Sequence, residues 1–225
     1  MAVESRFFST VPTASRRYFV WVQIVIAFLF LELAIWAPTT QIRNRWGTIA
    51  LVTILVLVLI DVLIDRSSLG RLGLGWPQPF GAGVVLGIGV TTIAFLVILV
   101  WWMGGQIPAT PAWFPNLQSA WGYAVWALLQ EFMLQSFFFN RFEDLYGSSA
   151  AVWMASTLFA AAHLPSPVLT TATLIGALFF CEMFRRYRSI YPLGIVHALL
   201  GLTIAAIMPD SLLHHMRVGI GYLRY

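Results

Sequence analysis

Long apolar runs separated by short polar, glycine or proline breaks organise this chain. A helix needs about 20 apolar residues to cross the hydrocarbon core of a bilayer. Runs of this kind cover 18–37, ended by Pro38, then 47–64, and then 81–103, which is glycine-rich at its start and ends at Gly104-Gly105. They continue at 119–140, at 149–164 (short, and stopped by "HLPSP"), at 167–184 and at 190–208. The pattern predicts an all-α polytopic membrane bundle of about seven transmembrane helices. "DRSSLGRLGLGWPQPF", after the second run, has glycine and proline spacing and reads as an interfacial segment. "QIPATPAWFPNLQS", after the third, is proline-rich and uncharged, a surface or re-entrant loop. The tail 209–225 is weakly amphipathic. With no internal repeat and no soluble second unit, residues 1–225 read as a single membrane domain.

Composition agrees with this reading. Sixty per cent of the 225 residues are hydrophobic, 10% are charged, and the mean hydropathy is +0.82. Soluble domains carry about 25% charged residues. All the basic residues are arginine, and they sit singly or in short groups between apolar runs. That arrangement fits lipid headgroups, not a nucleic-acid surface, so the expected partner is the bilayer. The apolar run after Arg17 is too long for a signal-peptide core and is read as a retained first span. With the N-terminus inside, Arg6, Arg16, Arg17, Arg66, Arg71, Arg141, Arg185, Arg186 and Arg188 fall on the inner side. Arg43, Arg45, Arg217 and Arg224 fall outside. The positive-inside rule therefore favours an inner N-terminus, and the localisation expected is the inner (cytoplasmic) membrane of a bacterium. The single cysteine, Cys181, lies in an apolar run and reads as packing.

Polar residues inside the apolar runs carry the candidate chemistry. The stretch "LLQEFMLQSFFFNRFE", 128–143, places Glu131 about nine residues from the inner end of the fourth span, roughly 14 Å deep. A charged residue at the bilayer centre costs roughly 2.5–3.5 kcal/mol on insertion scales, so it needs partners. Gln135 is one turn on, on the same face, and Gln130 borders that face. The fifth span carries Phe159 and His163 four apart, separated by alanines that allow close helix approach. The seventh carries His197, roughly 10 Å deep, with Gly201 one turn further on. Three costly side chains on three spans call for a common polar cavity. Other groups read as local. Glu32 lines a cavity or pairs nearby, Asp61 and Asp65 face water and headgroups, and Glu182 pairs with Arg185 and Arg186. His214-His215 is a weak metal signal, and no HExxH is present, so neither a metal nor another cofactor is expected.

These residues resemble the three-part pattern of the CAAX protease and bacteriocin-processing (Abi) family of intramembrane endopeptidases. The family pattern is Glu-Glu-x-x-x-Arg, Phe-x-x-x-His and His-x-x-x-Asn or Asp, on separate helices. Here it reads Gln130-Glu131-x-x-x-Gln135, Phe159-x-x-x-His163 and His197-x-x-x-Gly201. A run from Gly176 through Arg186, Arg188 and Ser189 leads into His197, as is common in the family. The resemblance covers about 119–205, the expected core. It implies hydrolysis of a membrane-tethered or lipidated peptide. A glutamate and the second-motif histidine activate water, while the third motif stabilises the oxyanion. The catalytic set it implies is Glu131, His163 and His197, with Gln130, Gln135, Phe159 and Gly201 in support.

Three positions depart from the pattern. Gln130 replaces the first glutamate and cannot act as a base, Gln135 replaces arginine, and Gly201 replaces the Asn or Asp. Either Glu131 takes over water activation, or the protein is a catalytically silent member that binds a peptide or lipid as an assembly or immunity factor. A third class is a small proton-coupled transporter using Glu131 and the histidines as a relay. It predicts broken helices in symmetric repeats, which the sequence lacks. Serine- and aspartate-type intramembrane proteases are unsupported, since neither GxSG nor GxGD occurs.

Overall fold

The computed structural model describes residues 14–63, 68–105 and 117–224. Arg6, Asp65, Arg66 and most of the proline-rich segment lie outside them. All regular structure among the described residues is helical. Five helices are long and apolar enough to cross a membrane: α1 (Ala14–Ile35), α2 (Thr40–Leu63), α3 (Pro79–Trp102), α7 (Pro167–Tyr187) and α8 (Ile190–Ile207). The fourth predicted span is one continuous helical rod built from three pieces. These are α4 (Leu117–Glu131), a π-helical stretch Phe132–Phe139 and α5 (Asn140–Tyr146). It runs past the expected end at 140, to Gly147, whose φ of +80° breaks the helix. The fifth predicted span is the 14-residue α6 (Ser148–Ala161), stopped before Pro165.

The rod is the axis of the fold. All eight residues of the π stretch are buried, which accounts for a largely apolar sequence, "FMLQSFFF", whose two polar side chains, Gln135 and Ser136, are hydrogen-bonded inside the protein. It is enclosed on every side, as an all-round hydrophobic helix must be. The outer helices instead bury only narrow stripes, such as Ile24, Ala27 and Ala34 on α1 and Ala50, Ile54 and Val58 on α2. Their exposed faces carry large apolar residues such as Leu29, Leu59, Phe95 and Ile98, as lipid-facing surfaces do. Trp101 and Trp102 end α3, and Trp121 lies near the start of α4, the ends at which aromatic belts form.

One end of the bundle is tied by ion pairs. Arg141, 4% exposed, pairs with Asp61 at 3.2 Å, donates to Gln23 Oε1 at 2.9 Å and stacks on Phe137. Asp61 was expected to face water and headgroups; instead it serves as the counter-ion of this buried arginine, because α5 brings a cation to the end of α2. Arg188 reaches Asn140 and Glu143, and Arg71 reaches Asp144. The segment after α2 is docked rather than free. Ser136 Oγ donates to the Leu72 carbonyl at 2.7 Å, and the Ile190 amide donates to the Gly73 carbonyl at 3.0 Å. At the opposite end the tail folds back, with the Gly219 amide donating to the Leu164 carbonyl at 2.8 Å and Arg224 donating to the Pro38 carbonyl.

Candidate active site

Close packing of α4 on α8 builds the site. Gly194, His197 and Gly201 share one face of α8, at i, i+3 and i+7. A Cβ at Gly194 would lie 3.2 Å from the Cα of Leu128, and one at Gly201 would lie 1.9 Å from the Tyr123 hydroxyl. Gly194 thus lets α4 approach closely, near where Glu131 reaches His197, and Gly201 leaves room for the end of the Tyr123 side chain. The Glu131 carboxylate is completely buried, and its Oε1 lies 2.8 Å from His197 Nδ1. Its Oε2 accepts a hydrogen bond from the Gln135 amide at 3.1 Å. The carboxylate that looks so costly in the sequence is held by two donors on its own rod and on α8. An ionised carboxylate only accepts, so His197 donates through Nδ1 and keeps its Nε2 lone pair. Phe180 of α7 stacks on the imidazole, with centroids 5.3 Å apart and planes 17° apart, and sets the ring orientation.

His163 sits just past the end of α6. Its Nδ1 lies 2.7 Å from the Phe159 carbonyl oxygen, which is an acceptor, so here too Nδ1 is the donor and Nε2 is free to accept. The Phe159 ring touches both histidines, with its centroid 4.8 Å from His163 and 6.0 Å from His197. The intact Phe-x-x-x-His spacing thus has a geometric meaning. The phenylalanine backbone orients the histidine, and its ring joins the two imidazoles.

A cavity of about 720 Å³ opens between α1, α2, the central rod, α6 and the tail. Gln130, Trp126, Leu134, Phe159 and His163 line it, and Arg43 and Arg217 border it. This volume is in the range of small-molecule sites, about 300–1,000 Å³. Glu131 and His197 are not on its wall. They lie one layer behind, beyond Phe159. Gln130, expected to border the Glu131 face, turns to the cavity, while Glu131 turns to α8.

The segment that builds this geometry is also the one with a family likeness. Residues 111–203 match the family model of the type II CAAX prenyl endopeptidase Rce1-like proteins. No curated protein and no solved structure matches the chain. The matched segment includes the rod, α6, α7 and most of α8, and all seven motif residues singled out from the sequence. It leaves out α1, α2 and the tail, which supply the rest of the cavity wall. The family is the one the three motifs resemble. Its description is that of CAAX prenyl endopeptidases.

Other sequence expectations resolve more simply. Glu182 pairs with Arg185 and Arg186 at 2.7 and 2.6 Å. Glu32 accepts from Trp36 Nε1 at 3.0 Å and also borders a second, apolar cavity beside Trp21 and Trp153. His215 lies 3.3 Å from Asp210, and His214 stacks on Tyr222. Cys181 is buried. No group of three or more metal-ligating side chains occurs among the described residues. Sequence reasoning missed Tyr123 and Phe180. Tyr123 lies two turns before Glu131 on the same helix, and that spacing was the available signal.

Proposed function

We propose that the protein is an intramembrane endopeptidase acting on membrane-tethered or lipidated peptides. The contact between Glu131 and His197 across α4 and α8 carries this reading. A buried carboxylate on Nδ1 of an imidazole fixes its tautomer and strengthens Nε2 as a base, the logic of a carboxylate–histidine pair in acyl transfer. In this scheme Glu131 acts through His197, because it has no exposed surface of its own. The scheme requires water and the scissile bond to pass Phe159, which stands between the cavity and His197; His197 Nε2 then takes a proton from water, and the water oxygen attacks the peptide carbonyl carbon. His163 Nε2 holds the water as a second acceptor. The Gln130 amide, on the cavity wall, donates to the developing oxyanion. The proton on His197 then passes to the leaving amine as the C–N bond breaks. The apolar cavity takes the lipid or apolar part of the substrate. The site lies in the inner membrane of a bacterium with the N-terminus inside, and residues 119–205 form the catalytic core of a single domain.

One observation favours a second reading. The residue facing the cavity at the first motif is Gln130, an amide, while the carboxylate is sealed behind it. That is also the arrangement of a catalytically silent, peptide- or lipid-binding member. The experiment that separates the two is a cleavage assay of the purified protein on membrane-tethered peptides, run beside Glu131→Gln and His163→Ala. The endopeptidase reading expects cleavage by the parent and a loss of about 10²–10⁴-fold in each variant. No cleavage by the parent, with cleavage appearing in Gln130→Glu, would establish the silent reading.

A further inference from the structure

We infer that the C-terminal tail is a strap that gates the cavity of about 720 Å³, latched across its mouth at Gly219 and Arg224. The inference concerns access to the cavity, so it holds whether or not the site cleaves a peptide. The tail turns back after α8 and crosses between the ends of two cavity walls. On the α6 side, the Gly219 amide donates at 2.8 Å to the carbonyl of Leu164, the residue after His163. On the α1 side, Arg224 donates at 2.6 Å to the Pro38 carbonyl. Both latches lie at the end of the cavity where Ile35 closes α1 and Arg43 opens α2. Met216, Val218 and Gly221 of the strap line the cavity there. The tail lies beyond residues 111–203, so the family likeness does not account for it.

Backbone geometry makes this strap a gate and not a fixed wall. Gly219 holds φ +55° and ψ −136°, a conformation that suits glycine. A Cβ there would lie 2.4 Å from the Ile35 carbonyl oxygen and 2.8 Å from its carbonyl carbon, backbone atoms that cannot swing aside as a side chain does. The segment leading to it is strained. His214, His215 and Met216 have φ of +48°, +54° and +54°. L-residues take this conformation singly, not in runs. Local contacts hold the run: the His215 amide donates to Asp210 at 2.8 Å, and the His214 ring stacks on Tyr222 with centroids 4.3 Å apart. Strain of this kind persists only while neighbours enforce it, and it gathers at clamps and switch segments. The closed strap is thus held against its own backbone preference, and the loss of either latch shifts it toward the open form.

The test is thiol accessibility in the full-length purified protein, where the buried Cys181 gives a low background. Leu51→Cys places a thiol on the cavity wall of α2. Val52→Cys, at a position 51% exposed and off that wall, is the control. Each probe is labelled with N-ethylmaleimide alone and combined with Gly219→Ala or Arg224→Ala. When opening is fast against labelling, the rate follows the open population. Losing one hydrogen bond changes such a population about two- to tenfold. Arg224→Ala is therefore expected to speed labelling of Leu51→Cys by about two- to tenfold. Gly219→Ala, which adds the clash with Ile35, is expected to speed it by about tenfold or more. The Val52→Cys rate is expected to stay parental, as local opening requires. Parental labelling of Leu51→Cys in both latch variants would overturn the gate. Equal acceleration at both probes would also overturn it, because the bundle and not the strap would then have loosened.

Discussion

At the scale of single residues, Glu131 is tolerated in the bundle because every lone pair it needs to satisfy has a donor at hand. Gln135 and His197 hold its two oxygens at 3.1 and 2.8 Å. The Gln135 half of this arrangement was legible in the sequence, since i and i+4 positions meet on a helix. The His197 half was not, because residues 66 apart in sequence meet only by packing. Gly201 looked like a loss of function by deletion of a side chain. In the fold it faces the tip of the Tyr123 side chain, which would have to shift to admit a Cβ. Gly201→Ala is therefore expected to destabilise the protein by about 2 kcal/mol through overpacking, measured as a lower melting temperature in detergent. The same substitution in a Tyr123→Ala background is expected to cost almost nothing. A full cost in both backgrounds would mean that some other neighbour crowds position 201.

At the scale of elements, the central rod decides which faces its polar residues present. Straight α-helical geometry predicts Gln130 at the border of the Glu131 face, and the structure sends the two to different sides. The π-helical stretch begins at Phe132, immediately after Glu131, and such widened turns are frequent at functional sites. Periodicity gives no warning of it, because only Gln135 and Ser136 interrupt the apolar run, too few to show the drift of a face. The rod's far end is secured by Arg141 and Asp61. Removing one member of a buried pair leaves the other uncompensated and typically costs 3–5 kcal/mol. Asp61 is 22% exposed, so Asp61→Asn is expected to cost about 3 kcal/mol, toward the low end. Thermal unfolding of the variant beside the parent measures it. An unchanged melting temperature would show that Gln23 and Phe137 suffice to hold the guanidinium.

At the scale of the whole molecule, the arginines sort to two ends. Arg17 lies over Tyr146, Arg71 pairs with Asp144, Arg141 with Asp61 and Arg188 with Glu143, all at the end where α5 lies. Arg43, Arg217 and Arg224 gather at the other, under the folded tail. This segregation gives the topology a direct test. Cys181 is buried, so the parent offers a low labelling background. In intact cells a membrane-impermeant maleimide is expected to label Ser211→Cys and to leave Ser149→Cys unlabelled. The reverse pattern would place the N-terminus outside and move the cavity mouth to the other face of the membrane.

The sequence by itself determined the material of this protein: helices, their approximate number and limits, and membrane immersion. It also singled out the few polar residues that the fold gathers inside the bundle. Each follows from local physics, namely the length of apolar runs, the breaks at glycine and proline, and the cost of a charge in lipid. Only the tertiary structure decided how those residues are used. It paired Glu131 with His197 and turned Gln130 to the cavity. It placed the Tyr123 hydroxyl where position 201 has no side chain, and gave Asp61 a buried partner. These outcomes depend on how closely helices approach and how each is rotated. Helix rotation and spacing are set by all the neighbours at once, and no single segment encodes them.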